Sequence, residues 1–172
     1  MEQKQMPSTD SYFHRSKKSM TNLNEGEKAP TFKAKDENGN TVQLKDFAGK
    51  KLILYFYPED DTPVCTVEAC DFRDNYSMLK KKGFEILGVS PNNSESHKKF
   101  IAKYKLPFSL LADEEKKIIT AYGVWGPKVL YGRHYDGLHR QTFVIDEKGK
   151  IEKIVRRVLS KKSTQQVLQE KS

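Results

Sequence analysis

The longest continuous apolar run in the chain has six residues, from Leu52 to Tyr57, and Pro58 stops it. A short run with a β-branched residue and aromatics, bounded by proline, is typical of a strand buried on both faces of a sheet. It is far too short for a membrane-spanning helix, which needs about 20 apolar residues. The sequence therefore predicts a central strand at 51–57 and no membrane span.

The segments that follow alternate between helix and strand signals. In the first of them, Ala69, Phe72, Tyr76 and Leu79 fall on one face of a helix. Alternation of this kind favours parallel strands with helices packed on the sheet. The pattern predicts helices at 62–82, 94–104 and 113–122, with Ser94 or Ser96 capping the second, and strands at 84–90 and 108–111.

Two predicted hairpins add antiparallel strands, so the expected fold class is α/β with a central mixed sheet flanked by helices. Asn38-Gly39 is a hairpin turn signal, and it places one hairpin at the N-terminal end of the domain. The predicted strands of the two hairpins are 31–35 with 41–44 and 141–146 with 151–158, and a last helix follows at 163–169.

Residues 1–24 show no apolar periodicity, so we expect a disordered or poorly ordered extension before a single domain at 25–172. Glu2 and Asp10 are acidic and no apolar stretch follows them, which argues against a secretory signal. Met20 is a possible natural start of the chain.

The net charge of +8 is concentrated near the C-terminus, where residues 150–172 contain seven basic and two acidic side chains. No Arg/Lys block is interleaved with aromatics, and no nucleic-acid-binding motif is present. The excess charge is therefore interpreted as a solvated face, with no nucleic acid or membrane as partner.

Cys65 and Cys70 are the only two cysteines, too few for a disulfide scaffold in a chain of 172 residues. The four histidines do not combine with them at zinc-ligand spacing, so neither a metal nor another cofactor is expected. Free thiols indicate a reducing compartment, and we expect a cytoplasmic protein.

Cys65 stands where a helix is expected to begin, just beyond the carboxyl end of the central strand. Thr62 is a suitable N-cap and Pro63 suits the first helical position, which makes Cys65 the third helical residue. Free backbone N–H groups and the helix dipole favour a thiolate there, and the Thr62 hydroxyl is expected to donate to the sulfur. The alternative is that Cys65 is a small buried apolar residue.

Cys70 follows five residues later, about 140° around a regular helix and about 7.5 Å along its axis from Cys65. A disulfide needs Cα atoms within about 7 Å and converging side chains. The two cysteines therefore cannot bridge unless the helix unwinds, and the spacing predicts a redox-driven conformational switch. The alternative is that Cys70 packs under the helix and stays reduced.

Other cysteine chemistries fit the spacing less well. A dithiol reductase has two residues between its cysteines where this chain has four, and a cysteine phosphatase needs an arginine where Asp71 stands. A hydrolase that pairs Cys65 with His134 or His139 remains open.

The segment Pro58-x-x-x-Thr62-x-x-Cys65, with Cys70 beyond it, resembles peroxiredoxins of the bacterioferritin-comigratory (PrxQ-type) subfamily. Val64 departs from the family pattern, which usually has glycine there. The resemblance covers about residues 25–170 and continues through Tyr122-Gly-Val-Trp125-Gly, Tyr131-Gly-Arg133 and the segment from Gly137 through Arg140 to Asp146.

This resemblance implies a thioredoxin-like fold and a peroxidase that reduces hydrogen peroxide and organic hydroperoxides with a thioredoxin- or glutaredoxin-type reductant. We expect it to act as a monomer or a weak dimer. Trp125 is interpreted as loop packing, Glu68 as a brace for the loop or helix, and His139 as a strand-edge residue. The site that the resemblance implies comprises Cys65 as the peroxidatic thiolate, Cys70 as the resolving thiol, Thr62 and Arg140 as stabilising donors, and Pro58 as a cover over the oxidised sulfur.

The second hypothesis is a basic binding protein or redox-regulated chaperone, whose cysteines only sense oxidation.

Overall fold

The computed structural model describes residues 21–169, which form nine strands, five α-helices and two 3₁₀ turns. The strands are β1 (Lys33–Lys35), β2 (Thr41–Gln43), β3 (Lys51–Phe56), β4 (Phe84–Ser90), β5 (Ser109–Ala112), β6 (Trp125–Leu130), β7 (Arg133–Leu138), β8 (Gln141–Ile145) and β9 (Ile151–Val155). The α-helices are α1 (Pro63–Asp74), α2 (Tyr76–Lys81), α3 (Ser94–Tyr104), α4 (Lys117–Ala121) and α5 (Ser163–Leu168), and the 3₁₀ turns are Leu44–Phe47 and Ser160–Lys162.

Seven strands form one mixed sheet in the order β2-β1-β5-β4-β3-β8-β9. The three central strands β5, β4 and β3 are parallel, whereas β8 pairs with β3 and β1 pairs with β5 in antiparallel fashion. The N-terminal hairpin β1–β2 lies at one edge of the sheet. The predicted α/β class, with a central mixed sheet and an N-terminal hairpin, is therefore confirmed.

The central strand β3 is buried on both faces, as its apolar run predicts. Leu52, Leu54 and Phe56 pack on one face with α4, while the alternate residues pack on the other face with α1, α2, α3 and α5. Gly88 of β4 lies under the aromatic residues of this second face. A Cβ atom at Gly88 would approach Leu110 to 2.6 Å and the Tyr55 ring to 3.0 Å, so the packing requires glycine here.

Two predicted helices differ from those in the structure. The long helix at 62–82 is divided at Asn75, whose side chain donates to the Asp71 carbonyl. The helix at 113–122 is shorter, because Lys116 adopts a left-handed conformation and the Asp113 carboxylate accepts from the Ile119 amide. A cap also differs, since Asn93, and not a serine, caps α3 by accepting from the backbone of residue 96.

The hairpin β6–β7 was not predicted and forms a separate two-stranded sheet. Its turn contains Tyr131 and Gly132, both with positive φ. Arg140 and β8 follow it directly, so the hairpin leads into the central sheet beside β3.

The packed domain also begins earlier than the predicted boundary at residue 25. The buried Thr21 hydroxyl donates to the Tyr122 carbonyl, and the Arg156 guanidinium donates to the carbonyls of Thr21 and Leu23. Residues 21–24 therefore belong to the domain. The predictions for an N-terminal extension and for Met20 as a start lie outside the described residues. None of the helices between residues 21 and 169 has the length and apolar character to cross a membrane.

Candidate active site

Cys65 is the third residue of α1, immediately beyond the carboxyl end of β3. Thr62 is the N-cap and Pro63 the first helical residue, as the sequence predicts. Cys65 is only 1% exposed, although its helical neighbour Val64 is 52% exposed. The family departure at Val64 therefore lies on the outer surface of the helix, while the sulfur lies inside beside the first turn.

The Thr62 hydroxyl does not make the predicted hydrogen bond to the sulfur. It donates instead to the Glu59 carbonyl at 3.0 Å, and it makes no capping bond to the helix. A hydroxyl has one hydrogen to donate, and the nearby carbonyl takes it. In this state the hydroxyl braces the segment that precedes the helix.

Arg140 is the side chain that reaches the sulfur. Its Nη2 donates to Cys65 Sγ at 3.1 Å, and its Nη1 donates to Glu68 Oε1 at 2.8 Å. The sheet explains this position, because Gln141 of β8 pairs with Phe56 at the end of β3. The arginine preceding Gln141 is thereby held beside the start of α1.

Glu68 is fully buried, and sequence reasoning did not include it among the site residues. It lies three residues after Cys65, so both side chains fall on the same face of α1. A buried carboxyl group requires a cation or hydrogen-bond donors. The signal available in the sequence was an acidic residue on the apolar face of the helix that carries Cys65. Its partner, Arg140, is 72 residues away along the chain.

The Arg140–Glu68 pair has unusual electrostatics because it is shielded from water. Burial raises the pKa of Glu68 to about 7, although the Arg140 charge and hydrogen bond act in the opposite direction. For Arg140, burial lowers the pKa, but the charges of Glu68 and Cys65 outweigh it and raise the pKa overall. The second carboxyl oxygen, Oε2, has no hydrogen-bond partner among the described residues.

The raised pKa of Glu68 predicts a pH-dependent stability. The value rises from 4.5 to about 7 on folding, so the folded state binds more protons between these values. The stabilisation is complete below pH 4.5 and is lost as the pH rises through 7. Relative to Glu68→Gln, the wild-type free energy of unfolding should fall by up to about 3 kcal/mol from pH 4.5 to pH 7.5, as measured by denaturant unfolding. Parallel pH profiles for the two proteins would contradict this assignment.

Cys70 lies on the same unbroken helix as Cys65, is half-buried, and is also a free thiol. The two cysteines are thus separate while α1 is folded, as their spacing predicts. Pro58 is half-buried at the end of β3 and begins the segment that leads to α1.

Neither histidine of the hydrolase alternative takes part in this arrangement. The His139 ring interacts with the Pro127 carbonyl at 2.8 Å, and burial lowers the pKa of His139. His134 lies on an exposed part of β7.

Trp125 begins β6, and the Lys116 ammonium lies 4.7 Å from the centre of its ring. Its role is therefore packing in a strand and not in a loop. Residues 21–169 contain no group of three or more His, Cys, Asp or Glu that could hold a metal ion.

The chain resembles proteins of one family along most of its length. Residues 26–154 match the AhpC/TSA family. Peroxiredoxin Bcp of Bacillus subtilis is 46% identical over 144 residues, which cover 84% of this chain and 92% of the relative. Peroxiredoxin Bcp of Escherichia coli K12 is 45% identical over 135 residues, or 78% of this chain and 86% of the relative. A structure of the Xanthomonas campestris bacterioferritin comigratory protein, studied for alkyl peroxide reduction, matches with a TM-score of 0.78 and 32% identity over 84% of this chain and 95% of that protein.

Proposed function

The chain belongs to the AhpC/TSA family as a Bcp/PrxQ-type peroxiredoxin, and on that premise we propose that Cys65 is its peroxidatic thiolate and Cys70 its resolving thiol. The protein is a thiol peroxidase with a thioredoxin-like fold, which acts on a peroxide and is re-reduced by a thiol. The 3.1 Å contact between Arg140 and Cys65 Sγ at the start of α1 carries the assignment of the site.

In the first step the Cys65 thiolate attacks the terminal oxygen of a hydroperoxide, ROOH. A sulfur–oxygen bond forms, the O–O bond breaks, and the leaving alkoxide takes a proton to become ROH. Cys65 becomes a sulfenic acid. The Arg140 guanidinium and the free N–H groups of the first turn of α1 are fixed donors for the charge that develops on the oxygens. Thr62 contributes its hydroxyl once this is released from Glu59, and Pro58 covers the sulfenic acid from water.

In the second step the Cys70 thiol attacks the Cys65 sulfenic acid, which forms a disulfide and releases water. Because both residues lie in α1, the helix between them must unwind first. A thioredoxin- or glutaredoxin-type dithiol then reduces the disulfide through thiol exchange.

The proposed substrates are hydrogen peroxide and organic hydroperoxides. The relative from Xanthomonas campestris reduces alkyl peroxides, which supports the second class. Since both cysteines belong to one chain, the cycle needs no second subunit, and we propose a monomer. The thiols must be kept reduced between turnovers, which favours a cytoplasmic location.

One equivalent of hydrogen peroxide tests the assignment of the two cysteines. The fully reduced protein is expected to lose two hydrogens by intact mass and both thiols by titration, and to remain monomeric. Cys70→Ser should gain one oxygen and lose one thiol. If the wild type gains oxygen while Cys70 remains free, resolution requires an outside thiol. Oxidation that occurs only once in the presence of excess reductant would favour a redox sensor over a peroxidase.

A further inference from the structure

The segment between β3 and α1, residues 58–62, is attached to the side of α3. The buried Asp60 carboxylate accepts from the Tyr57 hydroxyl at 2.6 Å and from the Ser96 hydroxyl at 2.7 Å. His97 Nδ1 lies 2.7 Å from the same carboxylate. The Asp60 amide also donates to Asn92 Oδ1 at 2.7 Å, so both the side chain and the backbone of this residue are held.

His97 is held at both of its ring nitrogens. The ring is fully buried, with Nε2 at 2.9 Å from the Leu111 carbonyl and Nδ1 at 2.7 Å from Asp60 Oδ2. A carbonyl oxygen can only accept, so Nε2 carries hydrogen. Nδ1 faces the Asp60 carboxyl group, which also accepts from the Tyr57 and Ser96 hydroxyls. Asp60 and His97 thus form a buried hydrogen-bonded pair between the loop and the helix.

A second contact joins the same two elements at the surface. Asp61 adopts a left-handed conformation with φ of 57°, and its carboxylate contacts Lys103 Nζ and the Tyr104 hydroxyl, each at 2.7 Å. These groups are exposed, and solvent weakens their attraction. The buried pair is therefore the stronger restraint on the segment.

We propose that Asp60 and His97 are positioning residues for Cys65, which hold the start of α1 in the geometry that reacts with peroxide. Asp60 precedes the N-cap Thr62 by two residues and Cys65 by five. A small displacement of this segment would move both the sulfur and the N–H groups of the first turn relative to Arg140. Misplacement of a reacting group by about 1 Å can lower a rate by up to about a hundredfold. This inference rests on the proposed role of Cys65 as the peroxidatic thiolate.

Two substitutions of His97 separate positioning from general stability. In His97→Asn the amide nitrogen takes the place of Nδ1 and keeps the contact with Asp60. In His97→Gln the amide nitrogen takes the place of Nε2 and keeps only the contact with Leu111. The rate constant for oxidation of the reduced protein by hydrogen peroxide, measured by stopped flow without a reductant, should fall about tenfold in His97→Gln and at most about threefold in His97→Asn.

Tyr122→Phe is the matched control, because it removes a hydrogen bond from a buried phenol to the Pro30 carbonyl on the other face of the sheet. Its rate constant should equal that of the wild type despite its lower melting temperature. The proposal would be overturned if the rate constants of His97→Gln, His97→Asn and Tyr122→Phe fell simply in step with their melting temperatures. A wild type without any peroxide-dependent loss of the Cys65 thiol would instead contradict the proposed function.

Asp60→Asn and Asp60→Ala provide an independent test if a His97 variant fails to fold. The asparagine amide can donate to Nδ1 of a neutral His97 and keep the loop attached, whereas alanine cannot. The rate constant of Asp60→Asn should therefore stay close to the wild-type value, while that of Asp60→Ala falls. Equal rates for the two variants would overturn the proposal. In ¹⁵N-histidine-labelled wild-type protein, Nε2 of His97 should be bonded to hydrogen, and an Nε2 without hydrogen would contradict the contacts assigned to the ring.

Discussion

Replacement of Cys65 by serine is expected to abolish peroxide reduction, with a loss of about a thousandfold or more in turnover. A serine hydroxyl fits the same space, but it remains un-ionised at neutral pH and its oxygen is a poor nucleophile toward peroxide. Arg140 and the first turn of α1 then have no thiolate to stabilise. The measurement is the initial rate of hydrogen peroxide consumption with excess dithiol as reductant.

Cys70→Ser is the matched control, because it makes the same atomic change five residues along the same helix. Its first oxidation by peroxide should proceed within about threefold of the wild-type rate, while disulfide formation fails. If Cys65→Ser and Cys70→Ser both consumed peroxide at the wild-type rate, neither thiol would be the nucleophile.

The main features of the fold were predictable because they depend on local patterns that the core reinforces. The run 52–57 is apolar on both faces, and in the structure it is the strand with helices packed on both sides. The strand at 84–90 and the helix at 94–104 have the predicted bounds. For these segments, the local sequence preference and the tertiary environment agree.

The hairpin β6–β7 could not be predicted in the same way. Gly126 and Pro127 weaken the strand signal of β6, and most of β7 is exposed, so no apolar alternation marks it. Its turn uses Tyr131-Gly132 in place of the more recognisable Asn-Gly. The hairpin is defined mainly by pairing between its own strands, of which only Gly137 and Leu138 at the end of β7 are buried.

The site was predictable only in part, for a related reason. The cap, the proline and Cys65 are neighbours in sequence, so their geometry follows from the start of one helix. Arg140 is 75 residues from Cys65, and it entered the prediction only through the family resemblance. Its position depends on the register of β8 against β3, which no local pattern specifies. Glu68 was missed because its function depends on that same distant arginine.

Replacement of Arg140 by methionine is expected to lower the rate constant for Cys65 oxidation about a hundredfold, comparable to the loss of one donor from an oxyanion hole. Arg140→Lys should remain about tenfold below the wild type. The guanidinium contacts Glu68 with Nη1 and the sulfur with Nη2, whereas a single ammonium group cannot occupy both positions. Arg133→Met removes an exposed arginine at the start of β7, and it should leave the rate unchanged if net charge is not the cause.

The stability of the site must be separated from its reactivity in this experiment. Without Arg140, the pKa of the buried Glu68 carboxyl rises further above about 7, so the folded state must bind a proton at pH 7.5 and loses stability. The double variant Arg140→Met/Glu68→Gln removes the titrating group and should recover that part of the stability at pH 7.5. Its rate of Cys65 oxidation should nevertheless stay about a hundredfold low, because the sulfur still lacks its donor. Recovery of the rate together with the stability would show that Arg140 acts only by neutralising Glu68, and the direct role at the sulfur would then be wrong.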